Sequence, residues 1–329
     1  MGRSVAENDR YQLVVSIINY RTGDMTIACV QSVLAQLSNI HGHVVVVDNA
    51  SGDGSADQIA AWIEAQPAGT PVSLLRSPDN SGFSGGHNQA FAAFDAELYF
   101  VLNSDALLRD GCLDELLKQT LIQPKVGLFA PRLEGEDGEV QVSCFRMPTP
   151  VTELIRAAQT GIVARFFRLH DQPLEMSPSD ADIGWASFAA IAIRREVIEA
   201  VGPMDEGFFL YFEDTDYCLS ATRAGWSITY VEDARVVHFR GGSAPVKKLG
   251  AARKRLPAYY YASRSRLFYK AYGRSGLLAA NLLWHLGRLI AAARVVVGGS
   301  YPRTVAKEAR DIWINFRTPL GDRMGGQRK

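Results

Sequence analysis

The sequence predicts an α/β fold: a mostly parallel central sheet flanked by helices, followed by a helical extension at the carboxyl end. Three observations support this. Short apolar runs of strand length, among them Leu13–Ile18, Val44–Val47 and Leu98–Leu102, alternate with segments of helical periodicity. These runs are apolar almost throughout rather than at every second position, as expected of strands covered on both faces. The charge is also unevenly spread. Residues 241–329 hold 18 Lys/Arg and 3 Asp/Glu, so of the 35 of each sign, residues 1–240 keep 17 and 32.

Leu13–Ile18 is the first strand and runs into Asn19-Tyr20-Arg21. A helix over about Met25–Gln36 follows, with Val30, Val33, Leu34 and Leu37 at helical spacing. Val44–Val47 is the second strand, ending at Asp48-Asn49; Ser55–Glu64 reads as a helix and Val72–Leu75 as a third strand. A glycine-rich loop, Asn80–Gly86, precedes a helix over about His87–Phe94. The fourth strand then ends in Asn103-Ser104-Asp105. Leu116–Val126 reads as helical, and Val126–Ala130 as a strand. The irregular, proline-bearing stretch 132–182 is expected to be an insertion or lid beside an acceptor pocket. Ala186–Ile193 is a further strand, and Arg194–Val201 a helix stopped by Gly202-Pro203. A helix beginning at Glu213-Asp214 and stopping at Gly225, then short strands Ile228–Val231 and Ala234–Val237, lead to His238.

The polar residues at the strand ends carry the chemistry, because ligands of open α/β sheets bind at the carboxyl ends of the strands. Asn103 and Asp105, one residue apart, offer hard oxygens to a divalent cation that would hold a diphosphate; turn formation is the plainer reading. Asp48 suits either a ribose hydroxyl or pyrimidine N–H, or a helix-capping role. Tyr20 suits either base stacking or an interfacial core position. The glycine loop with a helix start behind it lets backbone approach phosphate closely. Glu213, Asp214 and Asp216 follow four aromatics, Phe208, Phe209, Tyr211 and Phe212. A dry setting there would raise a carboxyl's pKa and make a general base. His238 is either structural or the partner of Asp105 at a metal.

Composition narrows the class. A chain of 329 residues can bury one large domain with an appendage. The four cysteines have no metal or disulfide spacing and read as reduced thiols of a cytoplasmic protein. Met1–Asp9 carries no apolar targeting core, so no signal peptide is expected. A dinucleotide-dependent oxidoreductase is disfavoured, since Asn19–Gly23 stands where G-x-G-x-x-G would follow the first strand.

Six pieces in order resemble the family 2 glycosyltransferases, within them the bacterial rhamnosyltransferase-like branch. They are Val15–Tyr20; Val47–Ser51 with Gly54 and Ser55; Asn80, Gly82, Phe83, Gly86 and Asn88; Leu102–Asp105; Tyr211–Asp214 with Asp216; and His238, Gly241 and Ser243. The resemblance implies a nucleotide-diphospho-sugar transferase fold of the GT-A type over residues 1–243. Its nucleotide half would span about 11–130 and its acceptor half about 131–243, with a basic, mainly helical extension over 244–329. It implies an inverting, metal-dependent transfer of L-rhamnose from dTDP-rhamnose to a lipid-linked or polysaccharide acceptor; the alternative keeps the fold with a UDP-sugar donor such as galactofuranose, glucose or GlcNAc. A non-catalytic, membrane-associated binding module is the reading from another class.

By the same analogy Asp105 and His238 hold Mg²⁺ or Mn²⁺, Asp214 is the base with Glu213 beside it, and Tyr20 and Asp48 take the pyrimidine. Asn19, Asn49, Asn80, Gly82, Phe83, Gly86, Asn88, Asn103 and Ser104 complete the nucleotide-sugar site. Three residues depart from the family pattern: Asn103 stands where Asp is usual, Phe188 where Gly is usual, and Ser220 where Arg is frequent.

The extension carries a Tyr- and Arg-rich segment, Arg253–Lys270, also shared with that branch. Basic tails attract nucleic acid, anionic membrane or phosphorylated ligands. With the resemblance, the expectation is peripheral contact with the inner face of the cytoplasmic membrane and no nucleic acid. Residues 275–297 are apolar but interrupted by Asn281, His285, Arg288 and Arg294. Each such charge costs about 2.5–3.5 kcal/mol at the bilayer centre, so a spanning helix is disfavoured. Two readings stand: an interfacial amphipathic helix, or a helix packed on the catalytic part or across a homodimer.

Overall fold

The computed structural model describes residues 10–239, 245–296, 299 and 301–325. Gly241, Ser243 and the expected boundary at 243/244 lie outside the described residues. The first half follows the expected alternation: β1 (Tyr11–Asn19), α1 (Gly23–Leu34), β2 (Gly42–Asp48), α2 (Ser55–Glu64), β3 (Val72–Arg76), α3 (Gly82–Ala93) and β4 (Ala96–Asn103). Next come β5 (Ala106–Leu108), α4 (Cys112–Ile122), β6 (Val126–Glu134), β7 (Cys144–Phe145), α5 (Pro150–Ala158) and α6 (Gly161–Phe166). They are followed by β8 (Trp185–Ala186), β9 (Ala190–Arg194), α7 (Arg195–Val201), α8 (Glu213–Arg223) and β10 (Ser227–His238). The extension contributes α9 (Pro245–Ala251), α10 (Ala258–Val296) and α11 (Glu308–Asp311).

The main sheet has the order β3-β2-β1-β4-β9-β6-β10-β5. β1 pairs in parallel with β2 and β4, placing Asn19 beside Asp48 and Ile18 beside Asn103. The chain therefore winds outward to β3 and returns on the other side of β1, which makes the β1/β4 crevice the topological switch point. Both faces are covered. Val15, Ile17, Val44, Val46, Phe100 and Leu102 pack in one core layer, Val14, Val45, Val47 and Tyr99 in another. That two-sided burial explains why these strands lack polar alternation.

The sheet is mostly parallel, as expected, with β9 running antiparallel to β4 and β6 and β5 antiparallel to β10. Other expectations are corrected. The glycines are not a free loop, because α3 already begins at Gly82. The run Ala186–Ile193 is split: Ala186 pairs with Cys144 in a small ribbon, while β9 starts at Ala190. The two strands before His238 are one, β10, with a register shift between Val231 and Arg235 that lets Glu232 and Asp233 face solvent. All four cysteines are free thiols, as expected, and each is buried.

Part of stretch 132–182, helix α5, anchors the extension. This helix lies along α10, where a Cβ on Gly287 would sit 2.6 Å from the Leu154 carbonyl oxygen. Glu153 on α5 is buried and bound by Arg264 at 2.9 Å and by Arg156, which in turn reaches Glu308 of α11. Burial pushes the Glu153 carboxyl up, but Arg156 and Arg264 outweigh it and hold it down at about 2. The polar interruptions of α10 are spent inside the protein. Asn281 accepts from Arg264, Arg288 donates to the carbonyls of Ala157 and Pro302, His285 accepts from Trp313, and Arg294 donates to Gln159. Removing one partner of a buried ion pair costs about 3–5 kcal/mol. Arg264→Leu is accordingly expected to lower the melting temperature markedly, and unchanged thermal denaturation would contradict the anchor.

Candidate active site

The parallel pairing brings Asn19-Tyr20, Asp48-Asn49 and Asn103-Ser104-Asp105 to one edge of the sheet. Backbone strain marks the same edge. Among residues 10–239, the non-glycine residues with positive φ are Arg21, Ala50, Gln159, Tyr211 and Phe212. All but Gln159 sit in turns that border the predicted site, and such outliers cluster where function over-determines the backbone.

Asn19 is fully buried and acts as a clasp. Its amide donates to Asp48 Oδ1 at 2.7 Å, Ser51 Oγ at 3.1 Å and Ser55 Oγ at 2.9 Å. Its carbonyl oxygen accepts from the Thr22 N–H and from the Thr22 and Thr26 hydroxyls. Asp48 Oδ1 is further engaged by the Ser51 hydroxyl at 2.5 Å, which leaves Oδ2 with one long contact, 3.3 Å, to the Ser51 N–H. Asn49 likewise braces the next turn, accepting from the Ser81 N–H and donating to the Gly82 carbonyl. Asn19 and Asn49 thus brace the turns, whereas Asp48 Oδ2 makes only that one long contact among the described residues. Tyr20 is 40% exposed with the Arg21 guanidinium over its ring at 5.2 Å. It is available for stacking, and Arg21 is a neighbour the sequence did not single out.

The α3 start is locked to the segment before α8. The Phe83 N–H donates to the Phe209 carbonyl at 2.9 Å, Asn80 caps Gly82, and Asn88 pairs with the Met204 backbone in both directions. Gly82 has φ +78°, and a Cβ there would lie 2.3 Å from the Phe209 oxygen. Gly86 packs on Ile18. The left-handed conformation alone costs a side chain about 1–2 kcal/mol, so Gly82→Ala is expected to lower thermal stability and loosen this edge. Melting at the parent temperature would show that Phe209 yields freely.

Asp105 and His238 meet through the β5–β10 pairing, which sets Ala106 opposite His238. His238 Nε2 lies 3.5 Å from Asp105 Oδ1, both side chains being largely enclosed. That is long for a hydrogen bond. It suits two ligands of one cation, given metal–ligand distances of about 2.0–2.2 Å. Among the described residues no group of three or more His, Cys, Asp and Glu could hold a metal. A cation held by this pair would take its remaining positions from substrate oxygens and water, the way Mg²⁺ is usually bound. Ser104 accepts from Thr22 at 3.0 Å, and Asn103 uses its backbone in bonds to Ala189 and Cys29.

Glu213 and Asp214 open α8 directly after the strained Tyr211-Phe212 turn. Asp214 keeps part of its surface open and accepts from the Thr215 N–H at 2.7 Å and hydroxyl at 3.2 Å. Burial nevertheless pushes its carboxyl up to about 6. Glu213 is 6% exposed, and its Oε2 has no hydrogen-bond partner among the described residues. Burial and the adjacent Asp214 push Glu213 far above the usual carboxylate range. Phe188 turns its ring into the core against Tyr217 rather than into the cleft.

The family profile described as "Glycosyltransferase like family 2" matches residues 11–262. The chain belongs to this glycosyltransferase family. The transferase is 28% identical over 281 residues to the N-acetylglucosaminyl-diphospho-decaprenol L-rhamnosyltransferase of Mycobacterium tuberculosis, spanning 79% of this chain and 85% of that one. It is 24% identical to the low-salt glycan biosynthesis hexosyltransferase Agl10 of Haloferax volcanii, over 69% and 66% of the two chains. Among solved structures it is similar to the mannosyltransferase PcManGT of Pyrobaculum calidifontis in complex with GDP-Man and Mn²⁺. That match has a TM-score of 0.54 at 17% identity, with 94% and 85% of the chains covered. GalNAc-T7 with UDP, GalNAc and Mn²⁺ gives 0.58 at 12% identity, over 91% and 60%. The transferase thus has the GT-A fold expected from its sequence, as a mixed sheet with a carboxyl-terminal helix.

Proposed function

We propose that this transferase moves L-rhamnose from dTDP-rhamnose to a lipid-linked or polysaccharide acceptor in cell-envelope glycan synthesis, with inversion at the anomeric carbon. The observation that carries the reading is Asp214 in the first turn of α8, behind a segment bonded to the start of α3, with its carboxyl lifted to about 6. The rhamnosyl donor and lipid-linked acceptor are suggested by the named activity of the mycobacterial relative. Asp214 removes the proton of the acceptor hydroxyl, that oxygen bonds to the anomeric carbon from the face opposite the diphosphate, and the carbon–oxygen bond to the diphosphate breaks to release dTDP. A divalent cation held by Asp105 and His238 would offset the charge on the departing diphosphate. Tyr20 and the open oxygen of Asp48 take the pyrimidine. Transfer from dTDP-rhamnose, assayed with and without EDTA, tests the reading; no transfer from it alongside transfer from UDP-sugars would replace the donor.

The same reading includes a membrane-facing side. Arg264, Arg266 and Lys270 of the extension are engaged with the body, so these cations are not offered to a lipid surface. The apolar ridge is. Leu278, Leu282, Leu286 and Leu289 line one open face of α10, Leu289 being 67% exposed. Ile162, at 85%, Phe166 and Leu169 extend it around α6, with Arg165 and Arg168 exposed beside them. Ile162 and Val163 share a shallow apolar depression with Ile290. The protein is expected to float with anionic vesicles and the double variant Leu282→Glu, Leu289→Glu to stay behind. Equal flotation of the two would refute this face.

A further inference from the structure

The segment between α7 and α8, residues 202–212, is gripped from the extension. Arg266 binds Asp205 with two hydrogen bonds of 2.9 and 2.8 Å, and Lys270 Nζ lies 2.8 Å from the same carboxylate. Lys270 also reaches Asp216 Oδ2 at 2.6 Å. Burial pushes the Asp205 carboxyl up, but Arg266 and Lys270 hold it down at about 2. Both cations lie over the buried Phe208 ring, at 5.6 and 5.5 Å. Gly207 leaves the room required, since a Cβ there would sit 2.0 Å from the Arg266 guanidinium carbon. One ammonium therefore joins the start of this segment to the first turn of α8, two residues past Asp214. Between those anchor points lie the Phe209 carbonyl that binds α3 and the strained Tyr211-Phe212 turn.

We propose that Lys270 is a positioning residue for the transfer: by bridging Asp205 and Asp216 it fixes the turn that presents Asp214, and it makes the extension a working part of the catalytic unit. This rests on Asp214 as the base. Asp216, on the same helix, is faced by Asp205 from the preceding segment and by Arg266 and Lys270 from α10, and Glu213 is the charged neighbour that acts directly on Asp214. The Phe188 backbone also hydrogen-bonds it. Losing the Lys270 charge leaves Asp205 and Asp216 less compensated, so Asp214 becomes harder to ionise.

The test uses the full-length protein as Lys270→Met and Lys270→Arg, with kcat, donor KM and the Asp214 titration followed by carboxyl carbon NMR. Lys270→Met should lower kcat about tenfold to a hundredfold, leave donor KM within a small factor and move the Asp214 titration to higher pH. Lys270→Arg should restore both. Should Lys270→Met fail to fold, Asp216→Asn supplies the complementary variant, and its titration should move to lower pH. An unmoved titration, or a loss of kcat that Lys270→Arg does not restore, overturns the positioning role. The NMR readout needs no substrate. Failure of the parent to transfer rhamnose would overturn the donor assignment while the titration still decides on Lys270.

Discussion

Asp214→Asn is expected to reduce transfer by about 10²–10⁴-fold, the usual contribution of a positioned general base, while nucleotide affinity stays at the parent level. The amide keeps the size and the bonds to Thr215 but has no proton-accepting carboxylate. In the parent, kcat should rise through pH values near 6 as Asp214 ionises. The carboxyls of Glu213 and Asp214 are raised in the folded protein, so their contribution to stability is present at low pH. It is lost as pH rises through the folded value. The Asn variant escapes that loss, so at pH 8 it should melt no lower than the parent. Full activity in the variant, or a collapse of its stability, would contradict the assignment of Asp214.

Chelation is the second large effect. EDTA, or Asp105→Ala, should lower turnover about 10²–10³-fold, corresponding to several kcal/mol of charge stabilisation. Mn²⁺ should restore the chelated parent but not the variant. His238→Ala should behave like a weaker Asp105→Ala if the two hold the cation together, their side chains lying 3.5 Å apart. Turnover indifferent to chelator would show that this pair plays another part, and binding of dTDP by calorimetry with and without Mn²⁺ would place the loss in affinity or in chemistry.

Much of this was legible in the chain. Leu13–Ile18, Val44–Val47 and Leu98–Leu102 announced parallel, doubly covered strands because burial on both faces removes polar alternation. What stayed hidden depends on partners distant in the chain. The reversed direction of β9 leaves no mark in Ala190–Arg194, and three-residue β5 is too short to show a period. The solvent-facing Glu232-Asp233 made one bulged strand look like two. Asn19 and Asn49 sit in site motifs, yet their amides are consumed by neighbouring turns, which only the packed backbone reveals. The basic extension looked like a tail for an outside anion. Glu153, Asp205 and Asp216, each more than fifty residues away in sequence, are the anions it meets.

The configuration of the transferred sugar tests the central claim most directly. Proton NMR of the product formed from dTDP-rhamnose, a divalent cation and a lipid-linked acceptor should show the anomeric configuration opposite to the donor's, with no product from Asp214→Asn. Retained configuration, or inverted product formed at the parent rate by Asp214→Asn, would contradict it.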